Sequence, residues 1–117
     1  MLPLGTVRVA TIRRMPRVEI IEEHETAHGW RHTVRIDPAG PESEGTSNAH
    51  ESTDHTVTLS FQDYELWSGG SEPPATITKR LVQLLLSGRI ELAPRPLPES
   101  FDAARARRWG GVDELLI

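Results

Sequence analysis

Residues 30–36 read Trp-Arg-His-Thr-Val-Arg-Ile, which sets Trp30, His32, Val34 and Ile36 against Arg31, Thr33 and Arg35. A period of two is the mark of a half-buried strand, and a helix cannot gather that set on one face. Residues 55–61 repeat the pattern with Val57, Leu59 and Phe61 on one side, and residues 17–23 put Val18 and Ile20 on one side. Gly29 precedes the 30–36 run and Asp37-Pro38 ends it, so a hairpin joining 17–23 to 30–36 is the simplest account. His32-Thr33-Val34 is echoed by His55-Thr56-Val57, as paired strands would have it. Residues 6–12 offer a further strand. Alternatively Met15 marks the natural start, and residues 1–14 form an extended or poorly ordered leader to a single domain at 15–117.

After residue 60 the period changes. Ser60 is placed to cap a short helical turn through Asp63, Tyr64, Leu66 and Trp67, which Gly69-Gly70 would stop. Pro73-Pro74 opens the strongest helix, because proline lacks only an amide that a first turn leaves unused. Ile77, Leu81, Leu84 and Leu85 then form one apolar stripe before Gly88. Beyond a connector carrying Pro94, Pro96 and Pro98, Ser100 is expected to cap a helix running to Trp109, closed by Gly110-Gly111. Val112 to Ile117 add an apolar turn, and residues 37–54, rich in Pro, Gly, Ser, Glu and Thr, read as a mobile surface loop. The fold class expected is α+β: a small antiparallel sheet of three or four strands followed by two helices.

Composition narrows the functions open to such a fold. The chain of 117 residues has no Cys, which excludes disulfides, thiolate zinc sites and a cysteine nucleophile. Its longest aliphatic runs, such as Leu84-Leu85-Leu86, are too short for a bilayer, and its first residues do not resemble a signal peptide. A cytoplasmic location without a membrane partner is the expectation. Twelve Arg against one Lys points to a GC-rich, bacterial coding genome. Residues 19–65 hold eleven acids and two Arg, a net of −9, so nucleic acid is not the expected partner.

Residues 24–28, His-Glu-Thr-Ala-His, match the zinc-protease signature H-E-x-x-H letter for letter. On a helix, His24 and His28 would share a face and hold zinc while Glu25 acted as general base on the bound water. A shuffled chain of this composition carries the pattern roughly 2% of the time, so the match alone is weak. Gly29 and the alternation after it favour a turn entering a strand, which would part the two His. The longer metzincin pattern also fails, since Arg31 and Val34 stand at its Gly and His positions. Glu72 and Glu91 are available as a third ligand, but nothing singles either out.

Other constellations have plainer explanations. Asp54, His55 and Ser60 supply the residue types of a triad without a nucleophile elbow. Gly69-Gly70-Ser71 lacks the remainder of any phosphate loop. Arg105, Arg107 and Arg108 suit the solvated C-terminal end of a helix better than a recognition helix. Trp30, Trp67, Trp109 and Tyr64 are expected as core pieces, with a partner surface the reading if two Trp are exposed together.

From His55 onward the chain resembles a family of small uncharacterised bacterial proteins. Their pattern is a strand ending H-x-V-x-[LV]-[ST], then D-Y, a G-G pair, a Pro-led helix ending in L-L, and F-D before an aromatic residue. His55, Val57, Leu59, Ser60, Asp63, Tyr64, Gly69, Gly70, Pro74, Leu85, Leu86, Phe101, Asp102 and Trp109 carry the resemblance. Ser87-Gly88-Arg89 stands where the family has R-E-P, and Trp109-Gly110 where it has an aromatic-Pro pair. The resemblance implies no activity, cofactor or catalytic residue. The expected function is that of a non-enzymatic binding or interaction domain, without cofactor, whose partner is a protein or a second copy. The alternative is a zinc-dependent hydrolase using His24, Glu25 and His28.

Overall fold

The computed structural model describes residues 16–37 and 52–116. The strand expected at 6–12, the leader at 1–14 and the interior of the loop at 37–54 lie outside the described residues. The elements are β1 (Arg17–Thr26), β2 (Gly29–Asp37), β3 (Thr53–Ser60), α1 (Phe61–Ser68), α2 (Pro74–Leu86), β4 (Ser100–Asp102), α3 (Ala103–Arg107) and α4 (Val112–Leu116). This is an α+β fold with a four-stranded sheet in the order β1-β2-β3-β4, mixed rather than wholly antiparallel because β4 runs parallel to β3.

The expected hairpin forms, with Val18 opposite Ile36 and Thr26 opposite Gly29. Its register slips between Ile20 and Glu22, and the bulge turns Ile21 outward at 42% exposure. β2 pairs antiparallel with β3, setting His32 against Val57 and Val34 against His55. The echo between the two sequences is therefore one of neighbouring strands.

Two expectations need correction. Ser100 does not cap a helix. Residues 100–102 form a short strand parallel to β3, and the helix starts at Ala103, with Asp102 in the capping position but making no side-chain cap bond. The Asp102 carboxylate instead accepts a hydrogen bond from Thr58 Oγ1. Phe61 does not join Val57 and Leu59 in the core. The strand ends at Ser60, whose hydroxyl caps α1 by accepting from the Asp63 amide at 3.0 Å, and Phe61 opens the helix at 42% exposure. At the other end of α1, Gly69 adopts the left-handed conformation at φ 64° and returns its amide to Glu65.

Helix α2 crosses the inner faces of β1, β2 and β3. Its stripe is as expected and wider, since Thr78 and Val82 are buried alongside Ile77, Leu81, Leu84 and Leu85. The aliphatic members of this stripe share one core with Val18, Val34, Ile36, Val57 and Leu59 from the sheet and with Trp67, Ala103, Ala106, Val112 and Leu116 from the other helices. Arg35 and Asp54, opposite one another across β2 and β3, pair at 2.9 Å in an exposed position. No helix among the described residues is long and apolar enough to cross a membrane.

Among the described residues one imidazole, that of His32, is fully buried. His32 Nε2 donates to a Glu23 carboxylate oxygen at 2.8 Å, and its Nδ1 meets Thr78 Oγ1 at 2.8 Å. A carboxylate oxygen accepts while a threonine hydroxyl either donates or accepts, so both ring nitrogens stay partnered whether or not the ring is charged. That versatility explains why an alternating strand puts a histidine where an aliphatic residue would otherwise sit. The three side chains tie β1, β2 and α2 together.

Candidate binding cleft

β3 and β4 run parallel, and both end against the start of a helix. Between these ends and the turn of the β1–β2 hairpin lies a cleft of about 410 Å³. Trp30, Leu59 and Ala104 supply apolar wall, and Thr26, Thr58, Ser60, His28, Asp63 and Asp102 supply polar groups. The hairpin turn is anchored here because the Phe61 amide donates to the His28 carbonyl at 2.9 Å. Gly29 makes the close approach possible, since any side chain there would run into the backbone of Leu59 and Ser60.

Asp63 is the most confined polar residue of the cleft, with only 3% of its surface exposed. Arg107 Nη1 donates to its Oδ1 at 3.0 Å, whereas its Oδ2 is shielded from solvent and has no hydrogen-bond partner among the described residues. Arg107 also grips Asp113 through Nε and Nη2, at 3.1 and 3.0 Å, and the Trp67 indole donates to Asp113 Oδ1 at 2.8 Å. Burial pushes the Asp113 carboxyl up, but hydrogen bonds from Arg107 and Trp67 outweigh it and hold the group below the usual carboxylate range. Hydrogen bonding to Asp113 correspondingly raises the Arg107 guanidinium. One guanidinium thus serves carboxylates on two helices from a third.

Arg107→Ala is expected to cost about 2 kcal/mol, less than breaking a fully buried pair because the guanidinium is partly solvated. Urea unfolding checks it, and a loss under about 0.5 kcal/mol is the contrary result, as expected of an ordinary surface change. The sign of the acid response follows from Asp113. A carboxyl whose folded pKa is depressed contributes fully above its unfolded value and loses that contribution as pH falls through the folded one. Acid destabilisation below the ordinary carboxylate range should therefore be shallower in Arg107→Ala.

The hairpin separates the residues of the zinc signature. His24 and Glu25 lie on β1, where neighbours point to opposite faces, while His28 sits beyond the strand and lines the cleft. The shared helical face that the signature's chemistry needs is not formed. His24 Nε2 instead approaches an exposed Glu22 carboxylate at 3.7 Å, and Glu72 is engaged by both Arg80 terminal nitrogens at 2.9 and 2.6 Å. Among the described residues no group of three His, Asp or Glu stands close enough to hold a metal ion.

Asp54, His55 and Ser60 are not brought together. The Pro98 carbonyl accepts from His55 Nδ1 at 2.7 Å, so Nε2 is left to accept from the Thr53 hydroxyl at 2.8 Å. A second cleft, of about 510 Å³, borders His55 but finds both ring nitrogens occupied. Gly69 and Gly70 close a helix, whose C-terminal dipole repels phosphate rather than binding it. Arg107 is committed to carboxylates, which breaks up the basic cluster with Arg105 and Arg108.

The aromatic residues divide. Trp67 is buried, and Trp109 is half-buried against Phe101 with ring centroids 5.6 Å apart. Trp30 is half-buried and meets Phe61 and Tyr64 edge-on, each at 5.0 Å between centroids, and the Tyr64 hydroxyl donates to the Glu72 carbonyl. Asp63, Asp102 and Arg107 appear in the sequence only as parts of a helical turn, a family pattern and a basic cluster, and nothing there joins them into one site. The Thr58–Asp102 and Asp63–Arg107 pairs each span 44 residues, and only Asp63, three residues after a capping Ser, carries any local signal. No protein-family model, curated protein or solved structure matches this chain.

Proposed function

We propose that this chain is a non-enzymatic, cytoplasmic bacterial binding domain that works by contact with a protein surface, a second copy of itself being the simplest partner. The observation that supports this reading is the aromatic knot of Trp30, Phe61 and Tyr64, whose outer member Phe61 stays 42% exposed. Helix α1 starts at Phe61 because of its Ser60 cap, and that start carries the ring out of the core. Rigid aromatics part-way into solvent, braced by others beneath, supply contact area at small entropic cost and are enriched at interfaces. The acidic stretch around them favours a partner surface that is not itself strongly acidic.

Sedimentation velocity over a wide concentration range tests the reading, together with a photo-reactive residue at position 61 in living cells. Concentration-dependent association that Phe61→Ser abolishes, or a defined cross-linked protein seen from position 61 and not from exposed Leu92, is the expected result. A chain that stays monomeric throughout and cross-links to nothing from position 61 would overturn it.

A further inference from the structure

We infer that the cleft at the ends of β3 and β4 binds an organic ammonium group, a ligand chemistry independent of the role given to Phe61. The anchor is Asp63, which lines the cleft, is 3% exposed, and has one carboxylate oxygen with no partner among the described residues. A buried acceptor left unsatisfied is costly, and native proteins carry few of them. Arg107 holds the other oxygen. The terminal torsion of an aspartate is soft, so the carboxyl can turn toward a donor in the cleft.

The rest of the lining favours a cation. Asp102 is a second carboxylate, held in place by Thr58, and neither Lys nor Arg lines the cleft to welcome an anion. Trp30 offers an aromatic ring of the kind that attracts cations, and Leu59 and Ala104 suit the alkyl stem of an amine. An anion would meet two carboxylates, and a neutral alkyl group would leave Asp63 as unsatisfied as before. Ammonium, with three donors on a compact charge, matches both.

The test is a titration of the ¹⁵N-labelled full chain with n-butylammonium chloride, read at the Thr58 and Asp102 amides and the Trp30 indole. Capped lysine forms a second arm, separating a peptide source of the ammonium from a free amine, and n-butanol and sodium butyrate are the controls. For so small a probe a Kd on the order of 1 mM is expected. Asp102→Asn, a change at an exposed position, should weaken binding about fivefold or more, as for a charge-assisted contact. Asp54→Asn, an equal change of net charge on the neighbouring strand β3 but away from the cleft, should leave binding unaltered. No saturable shift, butanol binding as tightly as butylammonium, or equal weakening by Asp54→Asn would each overturn the proposal.

Discussion

Gly29→Ala is expected to be the most damaging single-methyl change in the described part of the chain. A Cβ at this position would stand 2.0 Å from the Leu59 carbonyl oxygen, 2.7 Å from Ser60 Cα and 2.9 Å from the Leu59 carbonyl carbon. All three are backbone atoms of β3, so no side chain can swing aside. Relief requires β2 to separate from β3 where Gly29 faces Ser60, and that opens the cleft and loosens the cap of α1. A loss of about 3 kcal/mol or more follows, above the ordinary range for overpacking because the obstacle is main chain. In thermal unfolding this is a fall of roughly 10–20 °C. Gly69→Ala is the matched comparison: it meets no atom within 4 Å, and only its left-handed backbone at φ 64° opposes a side chain. Its cost is expected near 1 kcal/mol. A Gly29→Ala protein as stable as Gly69→Ala would contradict the close approach of β2 and β3.

His32→Ala is expected to cost about 3 kcal/mol, comparable with truncating a large buried side chain. The ring is fully enclosed, so its removal leaves a void between the sheet and α2. The Thr78 hydroxyl, itself buried, loses its partner and regains one only by turning to its own helix backbone. Glu23 loses little, since its side chain is 42% exposed and water replaces the imidazole. Two companion variants separate these contributions. Glu23→Gln retains an acceptor at the same place and is expected within about 1 kcal/mol of the parent. Thr78→Val keeps the shape, deprives Nδ1 of its partner, and is expected to cost about 1–3 kcal/mol. Equilibrium urea unfolding of the three variants gives the ordering, and a His32→Ala protein no worse than Glu23→Gln would dismiss the tie between sheet and helix.

The parts of this fold legible in the sequence are those with a local period. Trp30 to Ile36 alternate and form β2, and Ile77 to Leu85 recur at helical spacing and face the sheet. Ser60 and Gly69 mark the two ends of α1 because caps act within three or four residues. The parts not legible are those that distance in the chain conceals. Three residues of β4 are too few to show alternation, so Ser100 reads as a helix cap until β3 is seen beside it. Phe61 keeps the strand's rhythm by coincidence, one residue past the strand's end. The grip of Arg107 on Asp63 and Asp113 joins side chains whose spacing obeys no helical or strand rule, because three helices bring them together. His24, Glu25 and His28 are the converse case, a motif complete in letters whose backbone runs from a strand into a turn rather than along a helix.

That last point is also what the cleft depends on, because the turn carrying His28 forms one of its walls. Backbone NMR of residues 20–34, recorded before and after zinc is added, tests it most directly. The account predicts cross-strand contacts between Glu23 and His32 and between His24 and Arg31, with no joint response of His24 and His28 to zinc. Helical contacts across 24–28, or one stoichiometric zinc shifting both imidazoles together, would contradict it and restore the hydrolase reading.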